Sequence, residues 1–348
     1  MRHPGGPAGG CHDALTNGTD AASIDADRGE PVRPVTEQWF AHRTFQYPAW
    51  TPQSLVRAKA GRRVSVVLPA LDEEETVGAI VAAIVPLTLG DTPLVDELVV
   101  VDSGSTDRTI EVAAAAGARV VRRTDVVPEL PPLPGKGEVL WRSLAATTGD
   151  VIVFIDSDLV DFDPAFVPSL LGPLLTVPGV GLVKGFYRRP LRLETPDEES
   201  LEHGGGRVTE LLARPLLAAL CPELSGVVQP LGGEYAATRA LLESVPFAPG
   251  YGVEIGLLLD THARLGLSGI AQVNLGVRKH RNRNLLQLGA MARQILAAAL
   301  HRCGSADSGA PLTQFLQVGG EWLPTSTDVE VTERPPMREV LGARDPLR

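Results

Sequence analysis

Apolar positions along this chain fall into short continuous runs separated by stretches of helical spacing. VSVVLP (64–69) is a β-branched run of strand length, and EEETVGAIVAAIVPL after it places its apolar residues at helical intervals. ELVVVD (97–102) predicts a second buried strand, followed by a helix in STDRTIEVAAAAG that ends at Gly117. RVVR (119–122) predicts a third strand, and GKGEVLWRSLAATTG (135–149) a helix leading into a fourth, VIVFID (151–156). The second half is more mixed. GLVKGFYRR and IAQVNLGVRKH read as strands, and helices fall near 205–220, 253–266 and 284–302. There is no internal repeat.

Strands alternating with helices predict βαβ units in a mostly parallel sheet with right-handed crossovers. In such sheets the ligand sits beyond the carboxyl ends of the strands. The sequence puts polar residues there: Asp72-Glu73 after the first strand, Asp102-Ser103-Gly104-Ser105 after the second, and Asp156-Ser157-Asp158 after the fourth.

Composition narrows the class. With 348 residues, 44% of them apolar, the chain can bury one large core. A formal charge of −10 argues against nonspecific nucleic-acid binding, which relies on phosphate neutralisation, and makes local basic clusters informative. Cys11, Cys221 and Cys303 lie far apart in sequence without a paired spacing, so they predict neither a disulfide framework nor a zinc site. The N-terminus lacks a secretory apolar region, and no apolar stretch reaches the roughly 20 residues of a membrane span, which predicts a cytoplasmic protein. Residues 1–30 carry no apolar period and are expected to be disordered. The tail at 304–348 is expected to be peripheral or partly disordered.

Four segments carry candidate chemistry. Asp156 and Asp158 emerge at the end of a buried strand, where their mutual repulsion would be relieved by a divalent ion bridging to a diphosphate. The alternative is a strand-end turn that caps the next helix, although Asp163-Pro164 is the better cap. Lys136, between Gly135 and Gly137 at a helix mouth, would add charge to an anion site or stay a solvated loop lysine. Gly206, Arg207, Val208 and Thr209 form a glycine-rich loop-to-helix turn, suited to a phosphate or carboxylate or acting as a hinge. The run Arg278-Lys279-His280-Arg281-Asn282-Arg283 is the densest positive cluster, reading as a site for an anionic small ligand or as a solvated basic face. His280 could ligate a metal if the fold brings it near Asp158, and nitrogen ligation suits Mn²⁺ at least as well as Mg²⁺.

VVLPALDEEETV, VVVDSGSTDRT, GKGEVLWRSL and VFIDSDL resemble the donor half of the GT-A glycosyltransferase fold, an α/β architecture with a Rossmann-like mixed sheet and a DXD-type metal motif. GGGRVTEL, QPLGGEYA, YGVEIGLLLD and VRKHRNRN narrow the resemblance to the glucosyl-3-phosphoglycerate synthases of actinobacteria, over roughly residues 35–303. Asp72 departs from the Asn expected in many members and keeps the same turn chemistry. The resemblance implies a catalytic domain over 31–303, with a donor half at about 60–160 and an acceptor half at about 180–303. It implies transfer of glucose from UDP-glucose to the 2-hydroxyl of 3-phosphoglycerate, with retention and a Mg²⁺ or Mn²⁺ cofactor. Carried over by motif, Pro69, Ala70, Leu71, Glu73 and Ser103 would hold uridine. Lys136 and Asp156 would contact the diphosphate, ribose or sugar, with Arg278 offsetting charge on the leaving group. Asp158 and His280 would bind the metal. Leu231, Gly232, Tyr251 and Glu254 would surround the glucose, and Gly206, Arg207, Val208, Thr209 and Asn282 the acceptor. Glu254 is the obvious carboxylate nucleophile by type, but the resemblance favours a one-face reaction with the departing phosphate as base and Glu254 as a sugar ligand.

Rival readings remain. A mannosyl-3-phosphoglycerate synthase would differ in donor. A polyprenyl-phosphate sugar transferase would bring membrane helices or an amphipathic anchor. A nucleotidyltransferase would place an Arg-containing glycine loop where PALDEEE stands, and a nucleotide-binding module would not need Asp158, His280 and Arg207 together. The apolar helix at 284–302 suggests a homodimer.

Overall fold

The computed structural model describes residues 33–188, 206–277 and 284–344. The expected disorder of residues 1–30 lies outside that range, as do Gly204, Gly205 and the run Arg278–Arg283, which includes His280 and Asn282.

The continuous apolar runs form strands because both faces of the sheet are covered. In β2 (Val64–Ala70), Val66 and Leu68 enter one core while Val67 enters the other. β3 (Glu97–Asp102), β4 (Arg119–Arg122) and β5 (Val151–Phe154) follow the same rule, with Val100 and Val153 on the first face and Val99, Val101, Ile152 and Phe154 on the second. The eight strands run in the order β1-β8-β6-β7-β5-β2-β3-β4. Here β1 is Thr44–Phe45, β6 Leu182–Arg188, β7 Tyr235–Thr238 and β8 Ile270–Val277. Only β7 is antiparallel to its neighbours β5 and β6, which makes the sheet mixed. The chain moves outward from β2 through β3 to β4 and then returns to the other side of β2 as β5. That reversal leaves a crevice beyond the ends of β2 and β5.

Among the described helices, α1 (Pro34–Arg43), α2 (Pro52–Lys59), α3 (Val77–Ile84) and α4 (Thr109–Ala115) belong to the first half. The helical spacing predicted through Leu87 breaks at Ile84 into a 3₁₀ turn, Val85–Thr88, because Pro86 has no N–H for the α-helical ladder. α5 (Lys136–Ala146) covers one face with Val139, Leu140, Trp141 and Leu144, and α6 (Phe166–Thr176) covers the other. The predicted helix at 205–220 is a π-helical turn, Thr209–Ala213, continuing into α7 (Arg214–Leu220). After the short α8 (Arg239–Leu242), α9 (Val253–Leu265) and α10 (Leu285–Arg302) pack side by side.

One expectation changes: the end of the chain is not uniformly peripheral. β9 (Leu312–Val318) and β10 (Glu321–Thr327) form an antiparallel hairpin, and the chain then returns to the core before α11 (Met337–Arg344). Met337 is fully buried, Phe247 and Arg334 exchange backbone hydrogen bonds, and Arg302 is paired with both Asp260 and Glu333. Cys221 and Cys303, distant in sequence, are neighbours at the ends of α7 and α10. Both thiols are free, and burial together with Cys303 pushes the Cys221 thiol up to about 11.

Candidate active site

The loops leaving β2 and β3 are laced together by side chains that accept from backbone. Asp72 sits at φ 56°, left-handed geometry that Asp tolerates as Asn does, and its Oδ1 accepts from the Thr106 N–H at 2.7 Å. The Glu73 N–H donates to Thr109 Oγ1 at 2.7 Å, the Glu74 N–H to Asp107, and Asp102 accepts from the Gly104 and Ser105 N–H groups. The turn after β5 is bolted to β2 through Ser157, whose hydroxyl donates to the Pro69 carbonyl at 2.6 Å while its own carbonyl accepts from Thr76 Oγ1 at 2.6 Å. Ser157 is buried, and Asp156 and Asp158 on either side of it line the cleft. The next helix starts only at Phe166, so neither carboxylate caps it. Asp163, read as that cap, instead closes the turn ahead of it by accepting from the Ala165 N–H.

The resulting cleft has a volume of about 520 Å³. It gathers the predicted donor residues Pro69, Ala70, Leu71, Glu73, Ser103, Lys136, Asp156, Asp158 and Tyr251. Lys136 Nζ lies 2.5 Å from Asp156 Oδ1 and 2.8 Å from Glu254 Oε1. Burial alone would push this ammonium down, but the two carboxylates more than reverse it and hold it well above the usual lysine range. Lys136 is therefore a half-buried, doubly ion-paired cation, not a solvated loop residue. Its loop approaches the start of α9 so closely that Gly135, at φ 95°, would set a Cβ 2.7 Å from the Gly250 Cα.

Leu231 and Gly232 stand behind the cleft, in the turn that enters β7. A Cβ on the adjacent Gly233 would collide with the Asp156 carboxylate, so this turn forms a wall directly against the acidic motif. The predicted acceptor residues Gly206, Arg207, Val208 and Thr209 do not line the cleft. Helical backbone begins at Arg207, Val208 packs on the core, Thr209 is buried, and the turn they open rests on α10. Sequence reasoning missed Arg123, which also lines the cleft; its signal was a cation at the carboxyl end of β4. It missed Lys184 as well, a lone cation in the apolar run of β6.

Comparison with known proteins places this architecture. Residues 65–190 match the family model of glycosyl transferase family 2. A glucosyl-3-phosphoglycerate synthase of Mycolicibacterium smegmatis is 64% identical over 300 residues, covering 86% of this chain and 97% of the relative. The chain belongs to the glucosyl-3-phosphoglycerate synthases. A more distant member, from Petrotoga mobilis, is 41% identical over 87% of this chain and 94% of its own length. The crystal structure of the Mycobacterium tuberculosis synthase in complex with Mn²⁺, UDP-glucose and phosphoglyceric acid matches with a TM-score of 0.78 at 59% identity, covering 86% of this chain and 98% of that one.

Proposed function

We propose that this chain transfers glucose from UDP-glucose to the 2-hydroxyl of 3-phosphoglycerate, releasing UDP and retaining the anomeric configuration. The observation that carries the reading is the half-buried Lys136 ammonium set between Asp156 and Glu254 in a cleft at the carboxyl ends of β2, β3 and β5. It is supported by the glucosyl-3-phosphoglycerate synthase activity of the relatives and by solved relatives holding UDP-glucose, phosphoglyceric acid and Mn²⁺, or Mg²⁺ and UDP.

Charge development sets the roles. As the glucosyl C1–O bond breaks, negative charge grows on the departing diphosphate, and Lys136 offsets it from a fixed position without solvent reorganisation. Asp156 and Asp158 line the same cleft, and oxygen donors of this kind suit a hard divalent ion held by one or two carboxylates plus substrate phosphates. Asp158, with His280 outside the described residues, would hold Mg²⁺ or Mn²⁺, which supplies further charge neutralisation at the diphosphate. Glu254 is buried and ion-paired to Lys136, a state suited to holding sugar hydroxyls rather than attacking C1. The acceptor 2-hydroxyl bonds to C1 on the face the diphosphate leaves, and its proton passes to the departing phosphate oxygen. Gly206–Thr209, with Asn282, hold the acid and phosphate of the acceptor.

The described residues contain no helix long and apolar enough to cross a membrane, and we assign the enzyme to the cytoplasm. We assign it as a homodimer. Ile295 and Ala297–Ala299 of α10 are buried within the chain, whereas Phe315, Val318 and Trp322 of the β9–β10 hairpin are more than half exposed, so the hairpin is the better contact surface. The test of function is UDP release by purified protein with UDP-glucose, 3-phosphoglycerate and Mg²⁺ or Mn²⁺, with the product anomer read by NMR. GDP-mannose serves as the competing donor. UDP release independent of 3-phosphoglycerate, or a preference for GDP-mannose, would overturn the assignment.

A further inference from the structure

Lys184 lies at the middle of β6, opposite Tyr235 of β7 and Gln272 of β8, and is only 2% exposed. Its ammonium donates to the Gly232 carbonyl at 2.6 Å and lies 4.6 Å from the centroid of the Tyr235 ring. Gly232 belongs to the turn that backs onto Asp156, and this turn has two other ties to β6. Gln229 Nε2 donates to the Tyr187 carbonyl at 2.8 Å, and the Gly185 N–H donates to the Glu234 carbonyl at 2.8 Å. Of the three, only the lysine brings charge.

Burying an ammonium works against the fold unless something is gained. Burial pushes Lys184 down to about 8, and the Lys136 ammonium adds to this, while Glu254, Glu234 and Asp156 partly hold it up. With a folded pKa below the unfolded one, the lysine opposes folding across the whole range below about pH 8, where it is charged in both states. An apolar side chain of similar volume would avoid that penalty but would leave the Gly232 carbonyl without its donor and the facing carboxylates without this cation.

Resting on the proposed glucosyl transfer, we infer that Lys184 is a positioning residue for the hexose half of the donor, pinning the Leu231–Gly232 turn against Asp156 and balancing the buried carboxylates around the sugar. It does not line the nucleotide cleft and makes no hydrogen bond to Lys136, so its effect falls mainly on the sugar end.

The experiment compares wild type with Lys184→Met, which keeps the stem's volume, by calorimetry with UDP plus Mn²⁺ and with UDP-glucose plus Mn²⁺, alongside steady-state kinetics. The expected result is little net change in Tm, since relief of the burial penalty and loss of the hydrogen bond oppose one another, a UDP affinity within twofold of wild type, and at least a tenfold loss in UDP-glucose affinity and in kcat. Wild-type affinity for UDP-glucose should also weaken as pH rises through about 8, where the ammonium is lost, and the variant should lack that limb. The charged groups facing Lys184 are Glu254, Lys136, Glu234 and Asp156, beside the Tyr235 ring. Equal losses for UDP and UDP-glucose would mean a general loosening of the fold and overturn the inference, as would a fully active variant. A wild type that turns over no UDP-glucose would instead remove the proposed function, and this inference with it.

Discussion

Replacing Arg334 by Met tests whether the far end of the chain sets the donor loop. The Arg334 guanidinium donates to Glu138 Oε2 at 2.6 Å and Oε1 at 2.9 Å, donates to the Pro131 carbonyl at 2.5 Å, and lies 5.1 Å from the centroid of the Trp141 ring. Glu138 is fully buried and keeps a second partner, Arg142 Nε at 2.5 Å, which also donates to the Val126, Val127 and Leu130 carbonyls. Together these two guanidiniums hold the segment 126–131 that runs into Lys136. Removing one member of a buried ion pair costs about 3–5 kcal/mol. Because Arg142 remains and Met keeps the apolar stem, the lower end, about 3 kcal/mol, applies here. At roughly 2–4 °C per kcal/mol for a domain somewhat smaller than this one, Tm should fall by roughly 6–12 °C. The assay is thermal unfolding with and without UDP and Mn²⁺, alongside Arg338→Met on the exposed face of α11, which should stay within about 0.5 kcal/mol of wild type. UDP affinity should fall with Tm in Arg334→Met and stay constant in the control. A Tm shift below about 2 °C with unchanged UDP binding would refute the clamp.

Other substitutions address the remaining assignments. Asp158→Ala should abolish turnover and metal-dependent UDP binding in calorimetry, and His280→Ala should raise the metal concentration needed for half-maximal rate; full activity of Asp158→Ala in chelator would end the metal assignment. Arg207→Ala should raise the KM for 3-phosphoglycerate roughly ten- to a hundredfold, the equivalent of about 1.5–3 kcal/mol for a lost charge-assisted contact, while UDP-glucose binding stays intact. Equal losses for donor and acceptor would place Arg207 in the fold or at the diphosphate. Trp322→Glu on the exposed hairpin should turn a dimer into a monomer by light scattering, and an unchanged mass would move the subunit contact elsewhere.

The donor half was legible in the sequence because a parallel sheet covered on both faces leaves unbroken apolar runs. β3 and β4 fall on the predicted residues, and β5 stops two residues early: Ile155 stays in the core and Asp156 turns into the cleft. β7 was not legible. Its YAAT has two alanines and four residues in all, and it is a strand only because β5 and β6 hold it between them. The tail was misjudged for a related reason. ERPPM reads as loop, and the importance of Arg334 depends on a partner 196 positions away, a relation no local pattern carries. Lys136 was visible from its flanking glycines, but its pairing with Glu254 was not, since that contact needs α5 and α9 to be packed together first.

The Arg334–Glu138 contact also bears on the order of events during synthesis. All eight strands of the main sheet are complete once Val277 has been made, and the nucleotide crevice exists from then on. Val127, a β-branched residue at φ 54°, sits in a backbone region that resists it, and the segment around it gains its second guanidinium only when Arg334 emerges. A nascent chain thus holds a finished sheet beside an unset donor loop for more than fifty residues of elongation. The donor loop therefore takes its full set of contacts only once Arg334 has been made, long after the sheet that carries it.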